Sequence, residues 1–265
     1  MPPSATTPYF PALTGLRAIA AGLVFLHHYN PFSKTDHPVL HAILNEMHIG
    51  VSIFFVLSGF LIAYLYQNKI TSLTSYRGYL QNRFARIFPL YALLTIITFG
   101  SVAFRTGTVD WAEFAWNITL TKGWVDGLKF TGIPQAWSLT VEESFYLLAP
   151  VLFVMPQARL LKWLAVVVVL LNVIAIWWWT PTSQFLLIYT LCGRMFEFLV
   201  GMSLAVLLRS REAKPARISP TIVGMLLIST CVALMASIGS DHGVSLDTAP
   251  GLLFNNLLLP IGTAL

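Results

Sequence analysis

Long apolar runs constrain this chain more than any other feature. About 20 apolar residues are enough to cross a bilayer as a helix. Such runs lie at roughly 13–33, 48–67, 84–104, 138–156, 160–179, 185–208 and 218–239, and an eighth begins at Pro250. In hydrocarbon each backbone polar group must be satisfied within its own segment, so these runs read as helices. The expected fold is all-α, a polytopic transmembrane helix bundle of about eight spans. No long polar segment separates the runs, which predicts one membrane-embedded domain over residues 1–265. The last run stops at Leu265 without a polar flank, so the chain reads as truncated at its C-terminus. Composition agrees, with 10% charged residues against about 25% in soluble domains.

Charge placement sets the expected orientation. With a cytoplasmic N-terminus, the inner loops hold ten Lys and Arg, among them Arg209, Arg211, Lys214 and Arg217. The outer loops hold four, Lys34, Arg105, Lys122 and Lys129. Positive residues favour the cytoplasmic side, so the N-terminus is expected inside. The same reasoning explains the pI near 9.3 as loop charge, and no nucleic-acid partner is expected. No Lys or Arg precedes Arg17, so the first run lacks the basic start of a cleaved signal peptide and reads as a retained span. Cys192 and Cys231 both lie in apolar runs and read as small core residues. The stretch from about 105 to 136, with Trp111, Trp116 and Trp124, suits short helices lying at the outer interface. Trp177, Trp178 and Trp179 fit an aromatic belt where a span leaves the membrane.

The polar residues inside these runs carry the functional argument. A charge near the bilayer centre costs about 2.5–3.5 kcal/mol on insertion scales, so something must offset it. In "LTGLRAIAAGLVFLHHY", Arg17 and His28 stand eleven residues apart, close to three helical turns and about 16 Å along one face. His27 points about 100° away from His28. Such residues either bond neighbouring helices or do chemistry. "WSLTVEESFYLLAP" places Glu142 and Glu143 in the first turns of a span. A carboxylate there can orient a catalytic histidine or simply favour a helix N-terminus. Adjacent residues diverge, so one of the two is expected to face the interior.

Three further segments add candidates. Arg83 and Arg86 in "NRFARIFPLY" satisfy the charge bias, yet their i, i+3 spacing also makes a phosphate clamp. Ser58-Gly59 in "GVSIFFVLSGFLI" either packs helices or leaves room for a tunnel. On the second reading Ser58 joins the donor-binding candidates. Arg194 and Glu197 in "GRMFEFLVG" are expected to neutralise each other as a structural ion pair, with Gly193 and Gly201 allowing close approach. His37, His41, His48 and Glu46 cluster in one loop but do not make a convincing set of metal ligands, so no metal is expected.

Together "LTGLRAIAAGLVFLHHY", "GVSIFFVLSGFLI", "RFARIFPLY", "WSLTVEESFYLLAP" and "RMFEFLVG" resemble, in order, the acyltransferase-3 family of membrane proteins. The match runs from about residue 12 to 205, and the joint occurrence of the segments makes it specific. The resemblance implies a bundle of about ten helices in a lipid bilayer, the bacterial inner (plasma) membrane. It implies acyl-CoA, acetyl-CoA foremost, as cytoplasmic donor, and a hydroxyl of an extracytoplasmic glycan or glycolipid as acceptor. By position, His28 matches the family's essential histidine and Arg17 its partner. Arg83 and Arg86 match basic positions suited to the CoA phosphates, and Glu142 or Glu143 matches the acidic position. His28 then serves as general base on the acceptor hydroxyl or carries the acyl group covalently. Family members usually continue to a last span bearing a Ser-Tyr-x-Leu-Tyr-x-x-His type motif, which this sequence lacks. Two other readings compete. A different membrane O-acyltransferase fold is disfavoured by the Arg-x10-His spacing. A transporter or flippase would use Arg17, His28 and Glu143 as a substrate or proton path, but the inverted repeats common in transporters are absent from the sequence.

Overall fold

The computed structural model of the chain describes residues 10–153, 157–209, 219–242 and 244–265. Arg211, Lys214 and Arg217, and the ends of two expected runs at 154–156 and 218, lie outside the described residues. The described residues form helices and connecting turns, with no strand among them. Four helical stretches are long and apolar enough to cross a membrane: Pro38–Tyr66, Leu73–Thr106, Pro181–Arg209 and Pro220–Gly239.

The expected runs become helices with shifted ends, each for a local reason. The first, α1 (Pro11–His28), starts on a proline and stops ahead of Asn30-Pro31. A short α2 (Pro38–Asn45) and a single turn, Glu46–His48, lead into α3 (Ile49–Tyr66). Next, α4 (Leu73–Thr106) begins eleven residues ahead of its apolar run, because Ser72 and Ser75 form a reciprocal cap. Such a cap satisfies two otherwise orphaned backbone donors. It ends at Gly107, whose φ of 73° is a left-handed C-cap. The stretch after it is α5 (Trp111–Ile118) followed by three single turns, in keeping with the short interfacial helices expected there.

The later helices are α6 (Trp137–Phe153), α7 (Gln157–Trp177), α8 (Pro181–Tyr189), α9 (Leu191–Arg209) and α10 (Pro220–His242). The run expected as one helix over 185–208 is broken between α8 and α9, where Thr190 takes an extended conformation. The break lets Gly193 sit against the Leu187 backbone, where a Cβ would clash. After α10 come α11 (Ala249–Leu253), a π-helical turn over Phe254–Leu258, and α12 (Leu259–Ala264).

Helix α3 is the centre of the bundle, packed most extensively on α9 and also on α1, α6 and α12. The α3–α9 contact is a reciprocal small-residue seam. Gly59 lies against the Phe198 carbonyl, and Gly201 lies against the Val56 carbonyl. Small residues let membrane helices approach until their backbones touch, where dispersion and weak polar contacts are greatest. Phe55, Phe145 and Phe198 stack beside the seam. In contrast, α4, α7 and α10 expose Leu90, Ile97, Leu170, Leu171, Met225 and Leu226. Continuous apolar surface of this kind suits lipid, not water. Trp177 and Trp178 are exposed at the end of α7, as an aromatic belt requires. Cys231 is buried as expected, whereas Cys192 is exposed, because its side of α9 faces away from the seam.

Candidate active site

One cavity of about 510 Å³ gathers most of the intramembrane polar residues. Its walls come from α1, α3, α4, α6, the α8–α9 break and the loop ahead of α6. Of the seven candidates, Arg17, His28, Arg83, Arg86 and Glu142 line it. Ser58 and Glu143 do not. The eleven-residue step from Arg17 to His28 separates a guanidinium end from an imidazole end by about 16 Å along α1.

At the imidazole end, His28 directs Nδ1 to the Val24 carbonyl at 2.8 Å. A carbonyl only accepts, so Nδ1 must carry the proton. In the neutral ring Nε2 is then left with its lone pair free. That is the tautomer a base or nucleophile needs, held by the helix's own backbone one turn earlier. His28 is exposed along its open side.

At the guanidinium end, Arg86 lies close enough to Arg17 and to Arg83 to be repelled by each. None of the three makes a direct ion pair among the described residues. Arg83 donates to the Tyr66 hydroxyl at 3.0 Å and lies over that ring, which leaves its buried Nε without an acceptor. Arg17 and Arg86 act on Glu142 and Arg83 acts on Glu143, so three cations against two carboxylates leave a net positive wall suited to an anionic ligand.

The structure brings Glu142, not Glu143, to the cavity. Glu142 accepts a 2.6 Å hydrogen bond from Ser58 Oγ, and Tyr146 lies 3.5 Å from the same hydroxyl. Ser58 therefore sits behind the wall and aims the carboxylate from across the α3–α6 contact. Glu143 points to another face of α6, where one of its oxygens is buried without a hydrogen-bond partner. The Arg194–Glu197 pair forms as expected, at 3.3 Å and with both residues buried. Arg194 also reaches the cavity and donates to Asn256 at 2.7 Å.

Several cavity residues were not among the seven site candidates. His27 lines the wall beside His28, their ring centres 4.9 Å apart. His48 lines it too and is tied to Glu46 at 3.0 Å. Glu46, fully buried, also accepts from the Ser245 amide and hydroxyl at 2.9 and 2.5 Å. An acid two residues from a histidine was the available signal, invisible to a helical period because a single tight turn makes it. The amides Asn255 and Asn256, adjacent in an apolar run, were a second signal. They join Ser52, Asn172 and Arg194 in one buried polar network. Phe130, Trp137 and Tyr189 meet edge to face on the cavity wall near Gln135 and Ser138. His37 and His41 serve elsewhere, His41 bonding the Phe32 carbonyl. Among the described residues no group of three or more His, Cys, Asp or Glu is placed to hold a metal ion.

The acyltransferase-3 family pattern, an acyltransferase domain, matches residues 10–264. The acyltransferase MdmB of Streptomyces mycarofaciens is 33% identical over 162 residues, covering 57% of this chain and 40% of that protein. The peptidoglycan O-acetyltransferase OatA of Listeria monocytogenes is 28% identical over 223 residues, covering 74% of this chain and 34% of that protein. The chain thus spans well under half the length of these curated relatives. No solved structure matches it.

Proposed function

The chain is an acyltransferase of the acyltransferase-3 family, and from that premise we propose that it moves an acyl group, acetyl foremost, from cytoplasmic acyl-CoA to a hydroxyl on the other side of the membrane. The acceptor is a glycan or glycolipid, and the membrane is the bacterial inner membrane with the N-terminus inside. A glycan acceptor is supported by the relative from Listeria, whose name records peptidoglycan as what it O-acetylates.

One observation carries the reading: a single cavity has a cationic end and a histidine with a free Nε2 at the other. Arg83 and Arg86 are suited to hold the CoA phosphates, since guanidinium binds phosphate bidentately. The pantetheine arm then extends past Arg17 and delivers the thioester to His28. There Nε2 either takes the proton of the acceptor hydroxyl or attacks the carbonyl carbon itself. Glu142, aimed by Ser58, balances Arg17 and Arg86. Base catalysis of this type is worth about 10²–10⁴ in rate.

The test is release of CoA from acetyl-CoA by the full chain in nanodiscs, wild type against His28→Ala, with folding checked by size exclusion. His28-dependent release is expected. No release and no CoA binding by well-folded wild type would remove acyl transfer and bring the transporter reading forward.

A further inference from the structure

His27 and His28 present the same chemistry twice. His27 directs Nδ1 to the Asn45 carbonyl at 2.6 Å, so its Nδ1 also carries the proton. Its Nε2 makes no hydrogen bond among the described residues and is not a buried orphan. Both rings line the cavity, edge to face. A histidine needed only to tie α1 to α2 would not have to stand on the cavity wall.

The surroundings of His27 are built to hold it. On its far side the His48 ring packs edge-on, centres 5.5 Å apart. His48 is itself fixed by Glu46, which Ser245 holds from two directions. Asn45, which accepts from His27, takes a hydrogen bond from Asn30 on its side chain at 2.8 Å. Each partner of His27 is therefore fixed in turn, and a preorganised ring costs no reordering when it reacts.

We propose that His27 is a second catalytic histidine, the base that accepts the proton of the acceptor hydroxyl while His28 carries the acyl group. The inference rests on the acyl-transfer reading and decides between the two roles left to His28. In the first step His28 Nε2 forms a bond to the acyl carbon as the C–S bond breaks, and CoA leaves as the thiolate. In the second the hydroxyl oxygen bonds the acyl carbon, its proton passes to His27 Nε2, and the N–C bond to His28 breaks. His27 then gives its proton to the thiolate through solvent, so acyl-CoA and alcohol become ester and free CoA.

The experiment compares two nucleophiles that differ in their need for a base. Water must lose a proton as it attacks, whereas hydroxylamine attacks as a neutral amine. CoA release from acetyl-CoA is followed with water alone and with added hydroxylamine. The enzymes are wild type, His28→Ala, His27→Asn and His27→Gln, in nanodiscs. Asn keeps a donor for the Asn45 carbonyl and removes the free lone pair, and Gln keeps the polar volume. Folding is checked by size exclusion and by acetyl-CoA affinity. The expected result is that His27→Asn loses about 10²–10⁴ of its reaction with water and keeps its reaction with hydroxylamine within about threefold. Equal loss with both nucleophiles, or no loss with water, overturns the role of His27 and leaves acyl transfer standing. Misfolding of both His27 variants makes the residue structural and also overturns it. A wild type that releases no CoA under either condition overturns the acyl-transfer reading, and this inference with it.

Discussion

Replacing Arg83 with Gln tests whether the cationic end of the cavity holds the CoA phosphates. Arg83 is anchored by the Tyr66 hydroxyl at 3.0 Å and by its position over the Tyr66 ring. Its orientation is thus set before any ligand arrives, and its buried Nε lacks an acceptor. A hydrogen bond to a charged group is worth about 1.5–3 kcal/mol, which corresponds to a rise of about 10- to 150-fold in the KM for acetyl-CoA. Arg83→Gln should show that rise with kcat within about threefold, because the lost contact serves ground and transition states alike. Steady-state kinetics on acetyl-CoA and on S-acetylpantetheine separate the causes. The truncated thioester lacks the adenosine phosphates, so its KM should not respond to Arg83→Gln. Equal KM changes for both donors would refute the phosphate assignment. So would a fall in kcat with an unchanged KM for acetyl-CoA.

Glu142→Gln should lower turnover while Glu143→Gln leaves it within about twofold, since only Glu142 lines the cavity; equal losses in steady-state kcat would contradict this. Gly59→Ala and Gly201→Ala should each lower the unfolding midpoint, because the added methyl meets a carbonyl of the facing helix. Overpacking of this kind typically costs about 1–3 kcal/mol, and an unchanged midpoint in detergent would show that the α3–α9 seam is not tight. Lys122, outside the spans, is buried and donates to the Thr131 and Ile133 carbonyls, and burial pushes its amine down to about 8. Between about pH 8 and the unfolded value of 10.5, the unfolded chain binds the extra proton, so stability should rise with pH across that window. Lys122→Met should abolish the rise, and parallel melting curves for the two proteins across that window would refute it.

Features that depend on a single helix were legible in the sequence. Apolar length marked the membrane helices, and eleven residues on one α-helix fixed the spacing of Arg17 and His28 before any tertiary contact was known. The i, i+3 pairing of Arg194 and Glu197 was readable for the same reason. Features that depend on how helices meet were not. Glu142 rather than Glu143 reaches the cavity because Ser58, 84 residues earlier, packs across from it. His27 joins His28 because the α2 backbone at Asn45 supplies a carbonyl that turns its ring. Glu46 is satisfied by Ser245, 199 residues away. The break at Thr190, the exposed Cys192 and the link from Arg194 to Asn256 likewise follow from contacts between segments. The backbone hydrogen-bond geometry of a helix fixes distances along its own face, so the sequence determined what each helix carries. Which faces turn toward one another is decided by close packing of small and large side chains across the whole bundle, so only the tertiary structure could assemble the cavity.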